Sequence, residues 1–317
     1  LRLADEAGRP GRVTSRLLML DEQGWREGGR RATEGTAEAI GRAASTAFRL
    51  HPARCTMLLI VKHGGGVLDG DQGPGMDNGE LGKALAASVQ ERGQPLDVLG
   101  LDMCFSGALE KLWDLRQCAR YISAAPGLVY SPGLRWDEAL GRRGRDGARE
   151  VAAEAARLGM PGGSREAALV SVETSRLTAV VEALRDVAVQ WRAQMARDGH
   201  VVTLARSQAH TWGRRQELCD LGEFAAGLAR HAPEESLQAG AVRLQEAVKS
   251  SIIGRWSGVS PTVESLSGVG IYFPRTVEAV PPAYERLTFA ADSDWHGFLR
   301  AYWQWVASRV TGEAYPG

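Results

Sequence analysis

Two apolar tracts in this chain each run straight into a chemically reactive side chain. Cys55 to Val61 leads into Lys62, His63 and three glycines, Gly64 to Gly66, while Leu96 to Leu101 leads into Asp102, Met103 and Cys104. Short apolar runs bounded by turn residues predict buried strands, and open α/β sheets collect their chemistry where strands end. One strand end therefore carries an imidazole and the other a thiol. The stretch between them has room for one helix, expected over Gly79 to Arg92. Such a crossover brings two parallel strand ends to one sheet edge.

Further strands are expected near 16–20, 120–124 and 167–172, with helices near 33–50 and 106–118. Strand alternating with helix predicts an α/β fold: a mostly parallel sheet with helices on both faces. The second half is more helical. Thr174 to Arg197 carries Leu177, Val180, Val181, Leu184, Val187, Ala188, Trp191 and Met195 at spacings of three and four, an amphipathic helix that Asp198-Gly199 is expected to stop. Helices near 220–230, 236–252 and 295–309 follow, with a late strand at Val269 to Phe273 ended by Pro274. Residues 1–150 thus read as the catalytic core and 151–317 as a helical part continuing the same domain. Gly- and charge-rich stretches at 64–79, 141–149 and 159–165 read as loops.

Lys plus Arg equals Asp plus Glu, 38 against 38. No global field then points to nucleic acid or an anionic membrane, and neither is expected as a partner. No run reaches the roughly 18 apolar residues of a membrane helix. The chain begins at Leu1, inside what reads as a strand, so an upstream segment is expected to be missing. The cytoplasm is the favoured compartment, with secretion the alternative if a targeting signal preceded Leu1. The four cysteines show no zinc-like spacing. Cys55, Cys118 and Cys219 lie in apolar or helical tracts and read as small buried residues.

Cys104 stands apart, because it follows a strand and precedes the helix expected from Ser106 to Cys118, whose positive end would favour a thiolate. The glycines after His63 let backbone approach a substrate closely. Gly64 N–H and Cys104 N–H are the oxyanion-hole candidates. A lone histidine or cysteine is more often structural, but the two together at the ends of separate strands form a base and nucleophile pair. His63-Gly-Gly-Gly also imitates the oxyanion motif of lipase-type hydrolases. Those enzymes need a Gly-x-Ser-x-Gly elbow or its Cys variant, and this chain has none.

His63-Gly64 and Asp102-Met103-Cys104 resemble the His-Gly and Asp-x-Cys motifs of clostripain-like cysteine peptidases, members of the caspase-like superfamily (clan CD). Residues 131–137, Ser-Pro-Gly-Leu-Arg-Trp-Asp, are similar to that family's Pro-Gly-x-Gly-Trp-Asp segment, and residues 267–274, Ser-Gly-Val-Gly-Ile-Tyr-Phe-Pro, to its Ser-Gly-x-Ser-Ile-Tyr-Phe-Pro. Tyr284 to Ala291 and Trp295 to Tyr302 fit as well. The resemblance implies a caspase-like sheet, His63 as general acid/base, Cys104 as nucleophile, and peptide or protein substrates with a basic residue before the scissile bond. It places Asp102, and by the Trp-Asp match Asp137, in the pocket for that residue. A carboxylate pairs bidentately with a guanidinium, so Arg is expected over Lys. The plainer alternatives are a strand-end carboxylate accepting backbone N–H groups for Asp102 and a helix N-cap for Asp137.

Two positions depart from the family pattern, Arg135 in place of glycine and Glu138 in place of an aromatic residue. The loop from Gly64 to Gly79 holds no Lys or Arg, so the activating cut of some relatives is not expected there, and Arg142, Arg143 and Arg145 offer another place. That loop also resembles an EF-hand through Asp69, Asp71, Asp77 and Glu80, but Gly73 and Pro74 stand where an oxygen ligand and a glycine belong. The expectation is no cofactor, with calcium as the weaker alternative. A latent caspase-like scaffold, awaiting an activating partner or acting through partner binding, is the rival to an active endopeptidase.

Overall fold

A computed structural model describes residues 2–6, 14–21, 24–32, 37–64, 67, 78–131, 133–141, 147–160, 167–213, 217–258, 266–275 and 282–312. The chain opens with β1 (Arg2–Glu6), β2 (Thr14–Asp21) and β3 (Gly24–Ala32), an antiparallel sheet of its own. The strand expected near 16–20 lies here and not in the parallel sheet. Its connection to β3 spans two residues, and a parallel crossover needs about a dozen.

Next come α1 (Ala37–Leu50), β4 (Met57–Val61), α2 (Asn78–Arg92), β5 (Leu96–Asp102), α3 (Leu109–Asp114), β6 (Ala119–Ala124), α4 (Trp136–Gly141), α5 (Ala148–Arg157) and β7 (Ala168–Glu173). A 3-10 turn at Thr174–Arg176 enters α6 (Leu177–Ala193) and α7 (Met195–Gln208). The chain closes with β8 (Thr211–Trp212), β9 (Leu218–Asp220), α8 (Leu221–His231), α9 (Glu235–Ser251), β10 (Ile252–Ser257), β11 (Gly270–Tyr272), α10 (Pro282–Glu285), α11 (Thr288–Ser293) and α12 (Trp295–Thr311).

The central sheet has the order β10-β7-β6-β5-β4. The β4–β5 and β5–β6 pairs are parallel and the β6–β7 and β7–β10 pairs antiparallel, so β7 alone runs against the other four strands. The sheet is mostly parallel, and β7 and β10, both beyond residue 150, complete it. All of β5 is buried. Leu99 and Leu101 pack into a cluster with Leu85 of α2 and Leu112 of α3, while Val98 packs with Trp136 of α4 and Ala152 of α5. A central strand covered on both faces is apolar throughout for this reason, and each fully buried Leu stabilises the fold by about 2 kcal/mol.

The long helix expected from Thr174 does not stop at Asp198-Gly199. It breaks at Gln194, and α7 runs through both residues. Gly199 lies under the Trp305 ring, where a Cβ would collide with it, so this glycine serves close packing against α12. α5 occupies part of a stretch that read as loop. Its Ala152, Ala153, Ala155 and Ala156 form a small-residue face, and Gly254 of β10 lies against the Ala153 backbone. No described helix is long and apolar enough to cross a membrane.

Candidate active site

β4 and β5 pair in register from Met57 with Val98 to Val61 with Asp102, a constant step of 41 residues. Lys62 N–H donates to the Asp102 carbonyl at 3.4 Å, which carries the contact one residue beyond the ladder. The step from His63 to Cys104 is the same 41. Immediately after, Gly64 lies so close to Cys104 that a Cβ on residue 64 would overlap its carbonyl oxygen. Glycine is required here because two backbones touch. His63 is exposed and Cys104 half-buried.

Cys104 sits in a tight turn, not before a helix. The helix expected from Ser106 begins at Leu109 after an extended Ala108, and it is six residues long. The assistance to a thiolate expected from a helix end is therefore corrected. Phe105 takes a left-handed φ of 56°, and the Ser106 hydroxyl bonds backbone carbonyls at Leu101 and Met103, which competes with helix formation. Phe105 N–H donates to Gly127 O and Gly107 N–H to Ala125 O, each at 2.9 Å, so the segment after β6 runs alongside the turn. It ends with Val129 N–H donating to Cys104 Sγ at 3.3 Å, while Val129 O lies 3.8 Å from the same sulfur. Among the described residues, neither Gly64 N–H nor Cys104 N–H donates to a protein acceptor.

Asp102 is 5% exposed at the end of β5. One carboxylate oxygen accepts Leu134 N–H at 3.0 Å, and Gly133, at φ 95°, wraps so closely that any side chain there would collide with the carboxylate. Burial pushes its pKa above the usual carboxylate range, opposed by the Leu134 bond and by the nearby Trp136 indole. That indole N–H nevertheless completes no hydrogen bond among the described residues. Asp102 thus accepts a backbone N–H and still carries an oxygen without a described partner.

Asp137 is exposed in the first turn of α4, inside the helix and not at its N-cap, and no described contact joins it to Asp102. Its neighbour Trp136 is fixed by β5, where the Gly100 Cα leaves just the room its ring needs. The two departures from the family pattern bond each other: Arg135 Nε donates to Glu138 Oε1 at 2.6 Å, and Arg135 also reaches the Leu158 carbonyl at 3.4 Å.

A sequence profile of the clostripain family, peptidase C11, matches residues 33–303. The chain belongs to the clostripain family. It is a cysteine peptidase by that membership. Its fold is similar to that of a secreted C11 cysteine protease from Bacteroides thetaiotaomicron in complex with an irreversible peptide inhibitor, at 17% identity and a TM-score of 0.63, covering 93% of this chain and 88% of that one. It is also similar to an inactive zymogen C11 protease from Parabacteroides distasonis, at 17% identity and a TM-score of 0.63, covering 92% and 86%. Among curated proteins, none matches.

In this clostripain-family chain the motifs near the C-terminus act as braces. Asp220 caps α8 by accepting Glu223 N–H at 2.9 Å and also binds Gly268 N–H and the Ser267 hydroxyl, each at 2.9 Å. Burial raises its pKa to about 6. The segment so held sends Gly270 N–H to the Gly107 carbonyl at 2.9 Å, three residues past Cys104. Trp295 Nε1 donates to Tyr272 O at 2.8 Å, and Tyr284 Oη donates to the buried Glu110 at 2.7 Å. Ser106, Val129, Glu110 and Asp220 were not singled out by sequence. Asp220 alone left a signal, an Asp before a helical pattern with Glu223 three residues on.

Cys118 and Cys219 are buried, with thiols pushed by burial to about 11 and about 12, whereas Cys55 is exposed, contrary to expectation. Cys55 follows an irregular, exposed stretch and precedes β4 instead of lying within it. Asp69, Asp71 and Asp77 of the calcium-like loop lie outside the described residues, as do Arg142, Arg143 and Arg145; Glu80 is exposed in the first turn of α2.

Proposed function

We propose that this peptidase cleaves peptide bonds after Arg, and less readily after Lys, with Cys104 as nucleophile and His63 as general acid/base. The observation that supports the reading is the parallel pairing of β4 with β5 up to Val61 and Asp102, two residues before His63 and Cys104, with Gly64 against the Cys104 backbone. His63 takes the thiol proton of Cys104 as Sγ adds to the scissile carbonyl carbon, and Gly64 N–H and Cys104 N–H receive the developing oxyanion. The His63 imidazolium gives a proton to the departing amine, leaving a thioester. Neutral His63 then takes a proton from water as that water attacks the thioester, and returns it to sulfur as the acid product leaves.

Asp102 supplies the preference for a basic residue. A buried carboxylate with one backbone hydrogen bond gains most from a cation that also donates bidentately. Asp137 is the second acid, acting from the exposed start of α4. The partners are peptide or protein substrates with a basic residue before the cut, with an activating partner as the means of control. No metal takes part in any step.

One observation favours a latent form as the second reading: a solved structure of similar fold is an inactive zymogen C11 protease. Labelling with a thiol-reactive peptide that bears Arg separates the two readings. The active enzyme labels at Cys104 and its Cys104→Ala variant does not, whereas a latent scaffold leaves Cys104 unmodified.

A further inference from the structure

Ser106 is fully buried, two residues past Cys104. Its hydroxyl has one proton, and two strong acceptors compete for it: Met103 O at 2.9 Å and Leu101 O at 3.1 Å. Both belong to the chain leading into the nucleophile turn. The same oxygen accepts Ala125 N–H at 3.0 Å, from the end of the neighbouring strand. One side chain therefore fastens β5, the turn and the segment after β6 at a single point.

That segment is the one that reaches the sulfur. From Ala125 it is held to the turn by Gly107 N–H on Ala125 O and Phe105 N–H on Gly127 O, and it arrives at Val129, whose N–H donates to Cys104 Sγ. Phe105, between the thiol and Ser106, keeps a left-handed φ of 56°, a conformation that a bulky residue holds only when its surroundings over-determine it. The hydroxyl and these backbone bonds are those surroundings.

We propose that Ser106 is a positioning residue for Cys104. Its hydroxyl locks the left-handed turn against Ala125, which sets Val129 N–H opposite Sγ and so fixes the direction in which sulfur meets the substrate carbonyl. The proposal rests on Cys104 being the nucleophile, and it adds a group that touches neither substrate nor sulfur. A hydroxyl that merely satisfied the core would, when removed, lower the fraction of folded enzyme and leave each folded molecule as active as before.

The test is Ser106→Ala, with rates expressed per active site titrated by an irreversible Arg-bearing inhibitor. The expected result is a fall in kcat of about tenfold at nearly unchanged KM, the scale of one buried hydrogen bond realised in the transition state. Alkylation of Cys104 by iodoacetamide is expected to change in rate as well. A parental kcat per titrated site, with loss confined to folded fraction or melting temperature, overturns the proposal. Should Ser106→Ala not fold, Val129→Pro deletes the donor at the far end of the same chain of contacts, and a parental kcat per site there overturns it equally. Residual hydrolysis in Cys104→Ala is a separate outcome, which defeats the nucleophile assignment itself.

Discussion

Gly64 and Cys104 touch through their backbones: a Cβ on residue 64 would overlap the carbonyl oxygen of residue 104. The strand ends bearing His63 and Cys104 are therefore held at one separation, and a methyl group between them forces them apart. Gly64→Ala is expected to lower kcat/KM about a hundredfold, as misplacement of reacting groups by about an ångström does, and to lower the melting temperature as well, because the clash is with backbone. A Gly64→Ala enzyme with parental kcat/KM contradicts this contact's role.

Asp102→Asn keeps an oxygen for Leu134 N–H and removes the charge. For substrates with Arg before the bond kcat/KM is expected to drop by about 100-fold or more, the scale of deleting one member of a desolvated ion pair, with little change for neutral substrates. Because burial raises the Asp102 pKa, its charge costs the free enzyme stability as pH rises through that raised value. The variant should thus match or exceed the parent's melting temperature at neutral pH, and Arg-substrate kcat/KM of the parent should fall when acid protonates Asp102. A large stability loss in Asp102→Asn would instead make this carboxylate a purely structural acceptor.

Glu110 is fully buried beneath the turn. It accepts Tyr284 Oη and Tyr272 N–H, and its second oxygen has no hydrogen-bond partner among the described residues. Burial, aided by the nearby Asp114 charge, raises its pKa from 4.5 to about 7 against those two hydrogen bonds. A raised folded-state value means stability fully present below about pH 4.5 and lost as pH climbs through about 7. Asp220, at about 6, acts in the same direction. The melting temperature is expected to fall from pH 5 to 8, and Glu110→Gln to flatten that slope; equal slopes in parent and variant would show that Glu110 ionises outside the core.

Chelation is expected to leave the rate unchanged, since no step of the proposed reaction uses a metal. If EDTA abolished hydrolysis and calcium restored it, the loop of Asp69, Asp71, Asp77 and Glu80 would become the first place to substitute.

What sequence made legible was local. β4 and β5 are apolar runs long enough to read, and each ends in a side chain too reactive to overlook. What it hid depends on partners far along the chain. Gly199 reads as a helix stop until Trp305 is seen lying over it. Ser106 reads as the start of a helix, because nothing nearby reveals that its hydroxyl will be taken by Leu101, Met103 and Ala125. Arg135 and Glu138 look like two separate departures from a family pattern, yet they form one pair.

The most direct test compares hydrolysis of peptides that differ only in the residue before the scissile bond, Arg, Lys, Leu or Asp, by the parent and by Cys104→Ala. The account predicts Arg fastest and Lys slower, with Leu and Asp slower again by about 100-fold or more, and no hydrolysis by Cys104→Ala. Faster cleavage after Leu or Asp, or undiminished cleavage without the Cys104 thiol, would contradict it.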